Sequence, residues 1–467
     1  MERAHLSDHF TFKKILLMTI SPILMMVFTS LYSIVDGIFV SNFAGNDAFA
    51  GVNLIFPIIM IVGGIGFMFG TGGSALVSKL LGEKKNEEAS RTFSLIVYAN
   101  FVLGLIISIG LFFSIEPISR AMGSITEGTS EEMVQQAIIY GKILILGQSI
   151  FMLQNVFQSF LVVAERQNLG FIFTLAAGIT NMALDALFIG VFHWGVIGAA
   201  FATILGYLVG GVGPLIYFIV KKDGLIHLTR CKFVLRPLLQ SSSNGFSEFL
   251  SNISASIVSI VYNIQLLKYY GVNGVSAYGI IMYVSFIFVA IFIGYSIGMA
   301  PIVGFNYGAK NKKELQNVFA KSMIIIGITG IVMFVLSFAS ANLFSRIFAR
   351  GNDELIELST LAMRVFSISF LVNGFSIYIS SFFTALNNGL ISAITSLVRT
   401  LVCEIVFVLI MPLWFGGEGI WWSIIVAEVV SVILAFVFLF AYKNRYGYFK
   451  SKKQSDMIQS TNDETIQ

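Results

Sequence analysis

The sequence predicts an all-α integral membrane protein: twelve transmembrane helices in two pseudo-symmetric six-helix lobes around a central cavity. Three observations lead there: too little charge for a soluble particle, uncharged runs of bilayer length, and an internal repeat. Of the 467 residues, 56% are hydrophobic and 12% charged, against about 25% charged in an average soluble domain. With a mean hydropathy of +0.85, most of the surface must face lipid.

A helix needs roughly 20 apolar residues to cross a bilayer. Runs of that kind fall near 15–43, 50–78, 93–115, 137–161, 171–192 and 195–220, then near 245–267, 276–304, 319–344, 361–385, 390–414 and 419–442. The charge-free core of the first run, Ile15 to Val35, is too long for a signal-peptide core and no small-residue cleavage site follows it, so it reads as a retained helix. The chain divides into an N-lobe (1–220, helices 1–6), a cytoplasmic linker (221–244), a C-lobe (245–442, helices 7–12) and a polar, disordered cytoplasmic tail (443–467). The two cysteines, Cys231 and Cys403, are far apart and suggest neither a disulfide framework nor a metal cluster.

Basic residues set the orientation. With both termini cytoplasmic, the inside segments hold 22 of the 29 Lys and Arg, six lie outside, and Arg399 falls within a span. That asymmetry fits the positive-inside rule and a multi-pass protein of the cell (cytoplasmic) membrane. The net charge of +4 is then a topology signal, and nucleic acid is not an expected partner.

The repeat lies in "GGSALVSKLLGEKKNEE" from Gly72 and "GMAPIVGFNYGAKNKKE" from Gly298. Gly72 and Gly82 recur as Gly298 and Gly308 at an offset of 226 residues. Six spans per half make the repeat parallel, an architecture that places ligand sites between the halves near the bilayer midplane. No G-x-x-x-x-G-K-[ST] appears and no soluble segment is large enough for ATP. The run "GGIGFMFGTGG" (Gly63 to Gly73) reads as helix packing, with Gly66 and Gly70 a GxxxG pair. Transport would then draw on an ion gradient or run downhill.

Ion coupling requires liganding groups at membrane depth, where an acid costs about 2.5–3.5 kcal/mol even on the lenient insertion scale. Asp36, in "SIVDGIFV", is the only charge between Lys14 and Asp47. Asp185 follows in "TNMALDALFIG", with Asn181 one turn earlier on the same face. Thr203, in "GAAFATILG", can add a hydroxyl. Two carboxylates, an amide and a hydroxyl suit a proton or a small hard cation, and burial disfavours the ionised carboxyl, which lets one of the pair load and release a proton. The plainer reading is a polar contact that locks helices together. The second half offers Glu248, Asn263 (one residue from the repeat position of Asp36), Arg399, Glu404 and Glu428 as candidates for cation binding or gating. Arg399 with Glu404 or Glu428 also reads as a neutralised structural ion pair.

"LYSIVDGIFVSNF", "LLGEKK", "TNMALDALFIG" and "GVIGAAFAT", in this order and with the internal repeat, resemble the multidrug and toxic compound extrusion (MATE) family over roughly residues 10 to 445. The resemblance implies alternating access and export of organic, often cationic and aromatic compounds in exchange for H+ or Na+. It also implies a cation site at Asp36, Asn181, Asp185 and Thr203, with Glu248 resembling a second-lobe acid of other members.

Candidate drug contacts are Gln154, Asn155 and Gln158 on the fourth span, with Tyr32, Met152, Tyr283 and Tyr378, since Met and aromatic groups adapt to organic cations. Ordinary packing competes for each in a chain with 45 Phe. His5 and His9 have i, i+4 spacing but no third ligand, and read as part of a solvated tail. The expectation is a multidrug antiporter that works as a monomer, bound by small molecules and membrane lipids, with no cofactor beyond the coupling ion. A flippase for lipid-linked sugars is the alternative. It would need several cationic residues for a pyrophosphate. No H-E-x-x-H or G-x-S-x-G supports an enzyme.

Overall fold

The computed structural model describes residues 5–125, 130–349 and 351–449, and among them every regular element is helical. Helix α1 runs Phe12–Phe39 and continues into a π-helical turn, Val40–Ala44. Next come α2 (Asn46–Gly82) and α3 (Asn86–Ile125). Helix α4 is two pieces, Glu131–Leu146 and Gln148–Val163, bent by 57°. Helix α5 (Gln167–Asp185) ends in a second π turn, Ala186–Val191, and α6 spans Gly195–Val220.

The stretch Leu235–Gly308 forms 74 helical residues, about 110 Å at 1.5 Å per residue against a hydrocarbon core of about 30 Å. It breaks at Gly271, with φ 60° and ψ −151°, where glycine carries no Cβ penalty. Two spans result, α7 (235–270) and α8 (272–308). Helix α9 (Lys312–Phe348) follows, then α10, bent by 51° between Asp353–Ser367 and Phe370–Ala385. Helix α11 comprises Gly389–Leu397, a third π turn Val398–Cys403, and Glu404–Phe415, and α12 is Glu418–Tyr446. Counted this way, the chain crosses twelve times.

Several helices outrun the hydrophobic segments that mark them, because hydropathy registers only the lipid-facing length. Helix α7 begins at Leu235, within the expected linker. Helix α12 continues to Tyr446, and Tyr448 folds back to donate to the Leu439 carbonyl at 2.7 Å. The expected tail thus starts later than residue 443, and positions 450–467 lie outside the described residues.

The repeat is visible in the backbone. Lys84 and Lys310 turn the α2/α3 and α8/α9 corners at positive φ, and Glu165 and Asn387 do the same at α4/α5 and α10/α11. The repeat glycines themselves make the contact between lobes. A methyl on Gly72 would overlap the Ser241 carbonyl and one on Gly245 the Met68 carbonyl, so α2 and α7 touch backbone to backbone. Gly82 meets Phe305 and Gly308 meets Lys79 in the same way, across α2 and α8. On α8, Gly294 lies against Pro22 and Ile23, and Gly298 against Thr19, of α1. These contacts occupy the lysine-rich half of each helix, so the lobes are closed at that face.

The segment before α1 is no solvated tail. Leu6 and Phe10 are buried and join the apolar core of the C-lobe. His5 Nδ1 lies 2.6 Å from a Glu165 carboxylate oxygen and His9 Nδ1 2.8 Å from one of Glu314. The i, i+4 spacing marks two anchoring points, and the partners were hidden because each is distant in sequence.

Gly245→Val should force α2 and α7 apart. We expect a loss in the overpacking range, about 1–3 kcal/mol, read as a lower melting temperature of the solubilised protein. A variant as stable as the parent would show that the seam tolerates a side chain.

Candidate cation site at Asp36 and Asp185

Close helix approach builds the site within the first six helices. At Gly178 on α5, an added Cβ would come within 2.5 Å of Phe28 and 2.9 Å of Tyr32, so its absence seats α5 on α1. Gly206 on α6 likewise passes the Ala177 carbonyl and the Asn181 Cβ, where a methyl would sit at 3.1 and 3.2 Å. These contacts bring Asp36 of α1 opposite Asn181 and Asp185 of α5. Thr203 of α6 stands one helix away, its hydroxyl donating to the Ala199 carbonyl at 2.9 Å.

Asn181 and Asp185 are 3% and 0% exposed. Asp36 Oδ1, both carboxylate oxygens of Asp185 and both amide atoms of Asn181 are buried with no hydrogen-bond partner. Five orphaned polar atoms in one place are exceptional, because native interiors satisfy nearly all such groups. No basic side chain pairs with either aspartate among the described residues. The donor set is all oxygen apart from one amide nitrogen, and suits a proton shared between carboxyls or a small hard cation.

Two residues at the site were not singled out in the sequence. Tyr140 of α4 faces Thr203 and both aspartates, and Tyr207 of α6 lies beside Tyr32, Tyr140 and Asp36. Tyr207 stacks on Phe151 with ring centroids 4.5 Å apart. A tyrosine in an apolar span carries no sequence mark of its role. Its only available signal was helical spacing, since Tyr207 is one turn beyond Thr203. The π turns give a second sign: they follow Asp185 directly and Asp36 by four residues, and such turns gather at functional sites.

The second lobe holds a separate polar group. Arg399, in the third π turn, donates from Nε to both carboxylate oxygens of Glu428 at 3.1 Å, and its Nη2 lies 3.0 Å from one of them. Ser376 adds a hydrogen bond to Glu428 at 3.3 Å. Glu404 takes no part in that pair and accepts instead from the Tyr262 hydroxyl at 2.6 Å, with Ser423 3.0 Å from the same hydroxyl. Glu248 faces Arg399 from α7. Asn263 is half-buried, and the repeat position itself, Tyr262, supplies the inward contact.

Of the residues expected to contact drugs, Met152, Gln154, Asn155, Gln158 and Tyr378 are buried between helices. Asn155 donates to the Gly63 carbonyl at 3.2 Å, whereas the carbonyl oxygens of Gln154 and Gln158 are buried without partners. Tyr32 is half-buried beside Gln154. Tyr283 is exposed and stacks on Phe348.

The MatE family profile matches residues 22–187 and, again, 249–410. The chain belongs to the MATE family. Each match covers one lobe, which accounts for the repeat. The chain is 25% identical over 435 residues to the multidrug export protein MepA of Staphylococcus saprophyticus, covering 91% of this chain and 94% of that one. It is 24% identical over 417 residues to MepA of Staphylococcus aureus strain MSSA476, covering 89% and 90%. Among solved structures, a MATE transporter in complex with MaL6 superposes with a TM-score of 0.88 at 22% identity, covering 94% of this chain and 98% of that one. A MOP-superfamily transporter from Pyrococcus furiosus, whose description assigns it a binding pocket of reversed polarity, gives 0.85 at 24%, covering 92% and 95%. These likenesses place the chain among multi-pass membrane carriers with twelve helices in two lobes.

Arg399→Gln should strand a buried carboxylate at Glu428, a loss of about 3–5 kcal/mol, whereas Arg399→Met with Glu428→Met should recover most of it. Melting temperatures of the solubilised variants test the pair. Equal stability of the single and double variants would mean that the two charges are uncoupled.

Proposed function

We propose that this MATE protein is a secondary multidrug efflux antiporter, exporting organic, cationic or aromatic compounds against an inward flow of H+ or Na+. The observation that carries the reading is the group of unpartnered polar atoms at Asp36, Asn181 and Asp185. Two adjoining carboxylates in an apolar lobe repel when both are ionised, and either a proton or a cation between them removes the repulsion. Loading therefore draws α1 and α5 together, and emptying lets them part. Thr203 offers a further oxygen, and Tyr140 and Tyr207 wall the site from lipid. The relatives named as multidrug export proteins supply the substrate class.

In this reading the lysine-rich face, with both termini, is cytoplasmic. A cation arriving from outside loads the site in the state closed at that face, and drug arriving from the cytoplasm or inner leaflet drives the reverse step. One chain contains both lobes, so a monomer suffices. Of the C-lobe carboxylates around Arg399 among the described residues, Glu248 and Glu404 have no basic partner at hydrogen-bonding distance, and they serve as gating or accessory cation groups. Glu428 is spoken for by Arg399. The same pairing counts against a lipid-linked sugar flippase, since the intramembrane arginine is already neutralised.

Asp36→Asn should return drug resistance in cells to the level of the empty vector while expression in the membrane is kept. Everted vesicles, with the proton and sodium gradients imposed separately, should show drug-driven movement of one ion that D36N abolishes. Flux indifferent to both gradients would instead mark a facilitator. Thr203→Ala removes one oxygen and should weaken coupling while leaving transport detectable.

A further inference from the structure

The N-terminal segment touches both lobes at the face where they are closed. Its attachment to the C-lobe is extensive: Phe10 and Leu6 lie in that lobe's core. Glu314, at the start of α9, accepts from the Phe10 backbone N–H and from His9, each at 2.8 Å. Asn317 and Lys321 donate to the Phe10 carbonyl at 2.9 and 2.6 Å. The turn between the two histidines is held by Asp8, which accepts from the His5 backbone N–H at 3.2 Å and from Lys14 at 2.9 Å. The Lys14 ammonium also keeps the Asp8 carboxyl below its ordinary range.

Apart from its continuation into α1 and the Asp8–Lys14 pair, the hydrogen-bonded attachment to the N-lobe among the described residues is one side chain. Glu165, at the α4/α5 corner, accepts from the Leu6 backbone N–H and from His5, both at 2.6 Å. It repeats the pattern at Glu314: one carboxylate takes a histidine and the next residue's N–H. Glu165 adopts φ +58°, a conformation that is costly for a side-chain-bearing residue and free for glycine. A residue kept there at a cost points to work done by its side chain. The repeat position supports this, because Asn387 at the matching corner of the C-lobe, also at positive φ, donates to the Ala75 carbonyl of α2. Asn387 thus reaches across the seam, while Glu165 reaches the segment ahead of α1 that is packed on the C-lobe.

We propose that residues 5–10 form a gating strap, anchored on the C-lobe through Phe10 and Glu314, whose releasable latch is the pair of hydrogen bonds to Glu165. Engaged, the latch favours the state closed at this face. When the lobes part there, the bonds to Glu165 break first and the strap stays on the C-lobe, pivoting where it joins α1, since its C-lobe attachment has more hydrogen bonds and two buried apolar side chains. His5, His9 and Glu165 are positioning residues that bias the conformational equilibrium and touch neither substrate nor ion. The inference rests on alternating access but not on the coupling ion.

The test uses the full chain with Cys231 and Cys403 changed to serine and spin labels on cysteines at Glu88 and Lys313, which are exposed at the tips of the two lobes. Distances are measured in lipid nanodiscs without drug or gradient, so a failure of the efflux reading leaves this measurement standing. Glu165→Gly removes the latch and relieves the backbone, and should lower the closed-to-open ratio about tenfold, the factor one charge-assisted hydrogen bond commands, with a melting temperature equal to or above the parent's. His5→Ala and His9→Ala should move the ratio the same way, and Ser7→Ala on the exposed side of the strap should leave it unchanged. An unaltered distance distribution in E165G would overturn the proposal. So would a shift accompanied by a lower melting temperature, which would make Glu165 merely structural.

Discussion

Everything distinctive about this molecule follows from the cost of an ionised carboxylate in hydrocarbon. Asp36 and Asp185 have no counter-charge of their own, unlike Glu428 with Arg399, so the fold must provide for them some other way. Gly178 and Gly206 let three helices converge, two tyrosines close the space around the acids, and Asn181 adds an amide that nothing else engages. A group that is stable only when a small positive species is bound is sensitive to the concentration of that species. In the antiport we propose, the apolar surroundings set that sensitivity, while the aspartates mark its location.

Helix α1 joins this chemistry to the movement of the lobes. Its first third, around Thr19 and Pro22, lies against glycines of α8 in the seam, and its last third carries Asp36 against α5. The residues just ahead of it form the strap. In the proposed mechanism, a change of charge at one end of α1 thus acts on a rod whose other end lies in the seam between the lobes. The seam is suited to such control because glycines bring backbones into contact over short patches. Packed surfaces of that kind are either seated or apart, with little between.

Much of this was legible in the sequence, for identifiable reasons. Hydropathy and lysine placement report on lipid contact and translocation, which act on whole segments, so twelve spans and the repeat could be read directly. Asp36, Asn181 and Asp185 stood out because charge or amide at membrane depth is expensive wherever it occurs. Tyr140 and Tyr207 did not, since tyrosine among 16 in the chain is equally at home in lipid-facing or packed positions. The bends within α4 and α10 carry no proline at the break, and they arise from packing that no local pattern records. His5 and His9 were misread for a related reason. Their partners lie 160 and 305 residues away, and a short polar stretch cannot announce a distant carboxylate. In the second lobe the repeat offset led to Asn263, when its immediate neighbour Tyr262 makes the contact.

The π turns in α1, α5 and α11 have one more consequence. Each fits an extra residue into a turn, and at 3.6 residues per turn one residue is about 100° of rotation. In α11, which resumes at Glu404 beyond its turn, the outer part presents a different side than its earlier course would dictate. Helix α11 is therefore two rods of different azimuth joined end to end with Arg399 in the joint, whereas in α1 and α5 the π turn is the last of the helix, within about a turn of Asp36 and Asp185. Relaxing the α11 joint to regular helix would spin Glu404–Phe415 about its own axis while Gly389–Leu397 stayed against α7. Rotation in place needs no new space in a crowded bilayer, so such a joint leaves one part of the C-lobe free to rearrange before the lobes have moved at all.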